Sequence, residues 1–291
     1  MAVAHERLAE HTPTSRWRRV ASNVLHLTND CFLVTPCPVV RSHFVELTER
    51  RNDVSGSLVL DTVPRFPIPH YATGDPEPHH SHRIITFSQK WNTRFPNLSD
   101  ISDVVTSLAS LVGYFDSQRS NNGRWQEELF IALKVHPVAH KLLSMSRFTV
   151  RAEANVSSSG LLIREILRLT CLLFIGLLKD LCRVFPTGVP ENKLRLTRLL
   201  TEGAVDWSTF MDLRLWVLMV SALAEEGERR WYVSEIAWTM KYLGLTTWDD
   251  ALKILKELIW IGEMLDIAAD ALGTEVAHFR ATLGSFEPSN M

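Results

Sequence analysis

The sequence predicts an all-α protein, a multi-helix bundle behind an irregular, Pro-rich N-terminal third. Three observations lead there. From Asp100 onward, apolar residues recur at the 3.6-residue spacing of amphipathic helices. After residue 100 no segment longer than a few residues alternates with the period of a strand. Nine of the 13 prolines lie at or before Pro96, and proline removes a backbone donor and interrupts regular elements. The expected division is residues 1–95, irregular, Pro/His-rich and partly disordered, and residues 96–291, the helical domain.

Before Asp100, Ser57–Val63 is compatible with a short strand, and Pro64–His82 (PRFPIPHYATGDPEPHHSH) reads as irregular, exposed chain. Ile101, Val104, Val105, Leu108, Leu111, Val112 and Phe115 then form a helical stripe that Ser99 can cap. Trp125, Leu129 and Leu133 predict a second helix, broken near Pro137. A third runs from about Gly160 to Arg183, capped within Ser157–Ser159 and ended by Pro186 and Gly188. It is apolar on most faces, the mark of a buried central helix. Short helices follow over Glu191–Leu200 and the nearly all-apolar Ser208–Ala224. Glu228–Leu243 is amphipathic and stops at Gly244. Thr247 caps a helix from Trp248, with Asp249 and Asp250 at the positive end of its dipole. That pattern runs through Trp260 and resumes toward Arg280. No internal repeat appears.

Composition narrows the function classes. The 291 residues carry 31 basic and 33 acidic side chains, net −2, which argues against a dedicated nucleic-acid binder. The first 95 residues are net +2 and the rest net −4, too small an asymmetry to assign a partner. The four cysteines, Cys31, Cys37, Cys171 and Cys182, are too sparse for a disulfide scaffold and favour a reducing compartment. The N-terminus lacks the apolar core of a secretory signal. The longest uncharged apolar stretches, Leu169–Leu178 and Leu215–Ala224, are about half the length a membrane span needs.

Four groups of residues are candidates for chemistry. His70, His79, His80 and His82, with Asp75 and Glu77 nearby, have the density of a metal site but match no structural zinc spacing. An exposed, unliganded loop is the simpler reading. Glu165, Arg168 and Arg214 are the catalytic candidates, charges on otherwise apolar helices where Glu165 can serve as acid or base. Their simpler reading, shared with Arg164, is interhelical ion pairing, since buried charges are rare unless paired. Glu165 is the leading partner expected for Arg214, with Asp206 and Asp212 as local alternatives. Arg16, Trp17, Arg18 and Arg19 form a basic patch readable as a nuclear import signal, a membrane-surface helix or a solvated face. Tryptophans 207, 216, 231, 238, 248 and 260 can wall a ligand pocket, although core packing is their default role. No Gly-rich phosphate loop, Gly–x–Ser–x–Gly elbow or His–Glu–x–x–His motif is present. No cofactor is expected.

Three segments, in order, resemble one family: Glu165–Phe174 (EILRLTCLLF), Leu213–Glu226 (LRLWVLMVSALAEE) and Glu228–Asp266. The last contains Trp231–Tyr232–Val233, the Leu243–Gly244–Leu245 turn, Trp248 and Trp260–Ile261. This order resembles the fungal-specific transcription factor domain, the C-terminal regulatory domain of fungal zinc-cluster transcription factors. The resemblance covers roughly residues 100–285. The family's zinc cluster needs six cysteines in closely spaced pairs, and this chain contains no Cys–x–x–Cys.

The resemblance therefore implies either a truncated regulator or a member that kept the helical domain for another purpose. On the first reading the protein works in the nucleus (alternatively the cytoplasm) without its own DNA-binding module. It regulates through protein contacts, with another regulator or as a homo-oligomer, in the setting of a fungal secondary-metabolite pathway. It does not bind DNA directly or enter a membrane. On the second it is a small-molecule binder or a metabolite-processing enzyme, such as a cyclase or isomerase, recruited from the same helical fold.

Overall fold

The computed structural model describes residues 38–68, 81–117, 131–148, 157–181, 190–203, 205–225, 227 and 229–284. These residues form ten α-helices and no strand, so the all-α expectation holds. The chain divides between Glu49 and Arg50, and the packing described below lies within Arg50–Met291.

Helix α1, Pro38–Leu60, occupies the segment where Ser57–Val63 had allowed a strand. Its end explains the difference. Asp61 takes a positive φ of 46°, and the Thr62 amide donates back to the Ser57 carbonyl at 3.0 Å, the hydrogen bond of a Schellman C-cap. Residues 62–64 and 67–68, beyond the cap, have no regular structure. Asp53 holds them against the helix by accepting from the Arg65 and Phe66 amides at 2.7 and 3.0 Å.

Helix α2, His82–Arg94, also lies inside the third expected to be irregular. Ser81 caps it, and Ile84, Phe87 and Trp91 are buried at helical spacing. Trp91 donates to the Leu98 carbonyl at 2.7 Å and packs with Phe87, Phe95 and Phe210. A 3₁₀ turn, Pro96–Leu98, leads into α3, Ser99–Ser117. All seven apolar residues of the expected α3 stripe are buried. Ser99 is the first helical residue, not a cap outside the helix.

The chain resumes in a π-helical turn, Ile131–Val135, that passes directly into α4, His136–Ser144. Pro137 does not break the helical path. It sits in the first turn of α4, where its missing N–H costs nothing, and the wider turn precedes it. Trp125 and Leu129 lie outside the described residues.

Helix α5, Ser157–Leu181, is the centre. Every residue from Ile163 to Gly176 is buried, and α5 packs against α3, α4, α6 (Pro190–Glu202) and α7 (Met211–Leu223). Helix α7 is the second hub. It packs against α8 (Arg230–Tyr242), α9 (Trp248–Lys256) and α10 (Gly262–Gly284). Gly244, with φ 69°, ends α8, and Leu245 and Gly244 donate to the Met240 and Lys241 carbonyls. Thr247 and Asp250 form a full capping box at α9. Helix α9 stops at Lys256, and the buried Leu258–Ile261 turns the chain into α10. A Cβ on Gly273 would lie 2.7 Å from the Trp248 ring, so only glycine lets α10 approach that indole.

Candidate functional site

The catalytic candidates Glu165 and Arg168 meet in a buried ionic network. Both side chains are fully buried on α5, one turn apart. Arg168 Nε and Nη2 donate to the two Glu165 oxygens, each at 3.0 Å. Its Nη1 and Nη2 also donate to Asp61 Oδ1 and Oδ2, both at 2.8 Å. Arg195 of α6 contacts Glu165 at 2.9 Å and donates to the Phe148 carbonyl at 2.7 Å. Arg147 binds Asp61 through its carboxylate and its backbone carbonyl.

The network therefore ties the end of α1, the chain after α4, the middle of α5 and α6 to one point. Burial works to raise the Asp61 pKa, but the hydrogen bonds and charge of Arg168, then Arg147, outweigh it and hold the carboxyl below its usual 3.8. Burial opposes the Arg168 charge, and the two carboxylates more than restore it, so its pKa is raised. Arg168's donors face carboxylates on two sides. Such an arrangement fixes register and leaves little capacity for proton transfer.

The expected pair between Arg214 and Glu165 does not form. Arg214 binds Glu235 and Thr239 of α8 instead. Asp212 pairs with Arg83 of α2, and Asp206 with Arg94 at 3.0 Å. Arg214 projects from α7 toward its neighbour α8, whereas Glu165 faces α6 and the end of α1. Arg164 matches the ion-pairing expectation, holding Asp100 at the start of α3 and the Ser146 carbonyl at 2.7 Å.

Of the metal candidates, His70, His79 and His80 lie outside the described residues. His82 is exposed in the first turn of α2, with Thr86 Oγ1 3.5 Å from its Nε2. Among the described residues no group of three or more His, Cys, Asp or Glu side chains could hold a metal ion. No helix among them is long and apolar enough to cross a membrane. The Arg16–Arg19 patch, Cys31, Cys37 and Cys182 also fall outside the described residues. Cys171 is buried, and burial pushes its thiol pKa up.

Five of the six tryptophans singled out in the helical domain pack into or against the core. Trp216 donates to the Ile259 carbonyl at 2.7 Å, and Trp260 to Asp266 at 2.8 Å. Trp238 is the exception, 50% exposed on α8, with Tyr242 one turn later at 67%. Lys241 lies 5.4 Å from the Trp238 ring centroid. Trp231, Glu235, Trp238 and Tyr242 fall at i, i+4, i+7 and i+11, one side of the helix. Its opposite side buries Val233, Ile236, Ala237 and Met240.

One functional candidate escaped the sequence reading. Lys179, near the end of α5, is only 1% exposed. The available signal was a cation on the most apolar helix, eleven residues and about three turns after Arg168, hence on the same side.

Comparison with protein-family models, curated proteins and solved structures gives no match for this chain. The resemblance thus rests on its own residues, and their places are now defined. Trp216, Val217, Tyr232, Val233, Trp260 and Ile261 are core residues, and Gly244 is a helix stop.

Proposed function

We propose that the protein is a regulator resembling the fungal-specific transcription factor domain, acting through protein contacts rather than by gripping DNA itself. The observation that carries this reading is the aromatic face of α8. Trp238 and Tyr242 present large apolar surface to solvent one turn apart, on a helix whose other side is anchored to α7 and α10. Exposed Trp and Tyr on a rigid element are the side chains that dominate protein interfaces. The occupant proposed is another regulator of the same helical type, in the nucleus, controlling a secondary-metabolite pathway. Net charge of −2 and the lack of any Cys–x–x–Cys support a division of labour in which the partner supplies DNA contact. The catalytic alternative draws less support from Glu165 and Arg168, whose polar atoms are occupied by one another, Asp61 and Arg195.

The test fuses the full chain to a heterologous DNA-binding module upstream of a reporter gene in a fungal host. Reporter output should change with the wild-type chain and return to baseline with Trp238→Ala/Tyr242→Ala. The double variant should keep the wild-type Tm, because both side chains are exposed. A wild-type fusion that leaves the reporter unchanged would remove the basis of the proposal.

A further inference from the structure

Near the end of α5 stands a buried lysine that forms no ion pair among the described residues. Lys179 is 1% exposed. Its hydrogen bond is to Ser55 Oγ on α1, long at 3.4 Å, and the carboxylate whose charge acts on it is its sequence neighbour Asp180. Two of its three donors are thus unused. Beside it, at the start of α4, His136 is 6% exposed and its Nε2 is buried with no hydrogen-bond partner. The Arg51 charge acts on both groups. A buried ammonium and a buried ring nitrogen each cost free energy unless satisfied. Here a buried ammonium and a buried neutral imidazole, both short of partners, feel the charge of a second cation, Arg51, and the three groups come from three different helices.

We propose that Lys179, His136 and Ser55 form an anion site for a tetrahedral oxyanion, either inorganic phosphate or the phosphoryl group of a small metabolite. Lys179 on α5 and Ser55 on α1 lie 3.4 Å apart, and His136 on α4 is near enough for the lysine's charge to act on its ring; donors from three elements suit an anion with several acceptor oxygens better than a planar carboxylate. Arg51 and Ser55, on α1, are the partly exposed members of the group.

The electrostatics agree with this geometry. Burial lowers the Lys179 pKa to about 8, with Asp180 acting to raise it and Arg51 to lower it further. The lysine therefore stays mainly charged at pH 7. Burial, then the Lys179 and Arg51 charges, lower the His136 pKa to about 3. The imidazole is neutral and offers one N–H. An arriving oxyanion would supply the missing counter-charge and an acceptor for that N–H. The inference stands apart from the α8 face and does not depend on it.

Calorimetric titration of the full chain at pH 7 in low-salt chloride buffer, with inorganic phosphate and with glycerol 3-phosphate, tests it. One site per chain is expected for phosphate. Lys179→Met should weaken binding by roughly tenfold or more, the loss of a charge-assisted hydrogen bond. Ser55→Ala should weaken it less. Glycerol 3-phosphate binding at least as tightly would identify a phosphorylated metabolite as ligand, and tighter inorganic phosphate the free ion. Without anion, Lys179→Met should melt no lower than wild type, because it removes an uncompensated buried charge. No saturable binding of either probe, or equal affinity in Lys179→Met, would overturn the proposal. So would a Lys179→Met variant that binds as wild type but melts far lower, since the chain itself would then satisfy the ammonium.

Discussion

Replacing Arg168 by methionine keeps most of the side-chain volume and deletes a fully buried guanidinium. Four hydrogen bonds of 2.8–3.0 Å disappear with it, two to Glu165 and two to Asp61. Glu165 then keeps only Arg195, itself one-third exposed, and Asp61 keeps Arg147 and Arg195. Removing one partner from a buried pair costs about 3–5 kcal/mol. For a unit of this size each kcal/mol lowers Tm by about 2–4 °C, so a fall of roughly 6–20 °C is expected. Thermal and urea unfolding would measure it.

Arg168→Met/Glu165→Leu should recover part of the loss, because no unpaired buried carboxylate remains at that position. The pH dependence follows from Asp61, whose pKa is lowered in the fold. Its contribution is present above the unfolded value and is lost as pH falls through the lower folded value. Arg168→Met takes away most of that shift, so the variant should lose less stability than wild type between pH 4 and the acid limit. A single variant that melts within about 2 °C of wild type would refute the view that this network fixes the helices.

Three further perturbations probe other parts. Gly273→Ala should destabilise by roughly 1–3 kcal/mol despite the better helix former, because the new methyl meets the Trp248 ring; a Tm at or above wild type would show that α10 can shift. A double-mutant cycle on Arg214 and Glu235 should give a coupling of roughly 0.5–3 kcal/mol, while Arg214 and Glu165 should add independently. Thr247→Ala should cost about 1 kcal/mol in urea unfolding by removing half of the capping box.

Most helices after residue 100 were legible because each carries its own signals; α4 was not, because Pro137 reads as a break and instead occupies its first turn. The α3 stripe, the apolar length of α5, Gly244 and Thr247 are local features that hold whatever the neighbours are. Helix α2 carried the same signals, Ser81 as cap and Ile84, Phe87 and Trp91 as stripe, but they stood behind a proline-rich segment that dominated the reading. Helix α1 gave less warning, since its sequence mixes charged and apolar residues around the whole circumference and its stop uses Asp61 rather than glycine.

That Glu165, Arg168 and Arg214 must be paired was readable from their apolar surroundings. Which carboxylate each meets was not, because the choice depends on which helices touch. Asp61 reaches Arg168 from 107 residues away, and nothing local to α1 marks it. Trp238, the exposed tryptophan among those described, was likewise indistinguishable from its buried counterparts until α8 was seen to turn it outward.

Transcript profiling tests the central claim most directly. A deletion strain of the source organism would be complemented with either the wild-type gene or Trp238→Ala/Tyr242→Ala. The regulator account predicts that a defined set of transcripts falls in the deletion strain, returns with the wild-type gene and stays low with the variant, at equal protein levels. Transcripts that remain unchanged in the deletion strain while a metabolite disappears would contradict it and place the protein's action in chemistry rather than gene control.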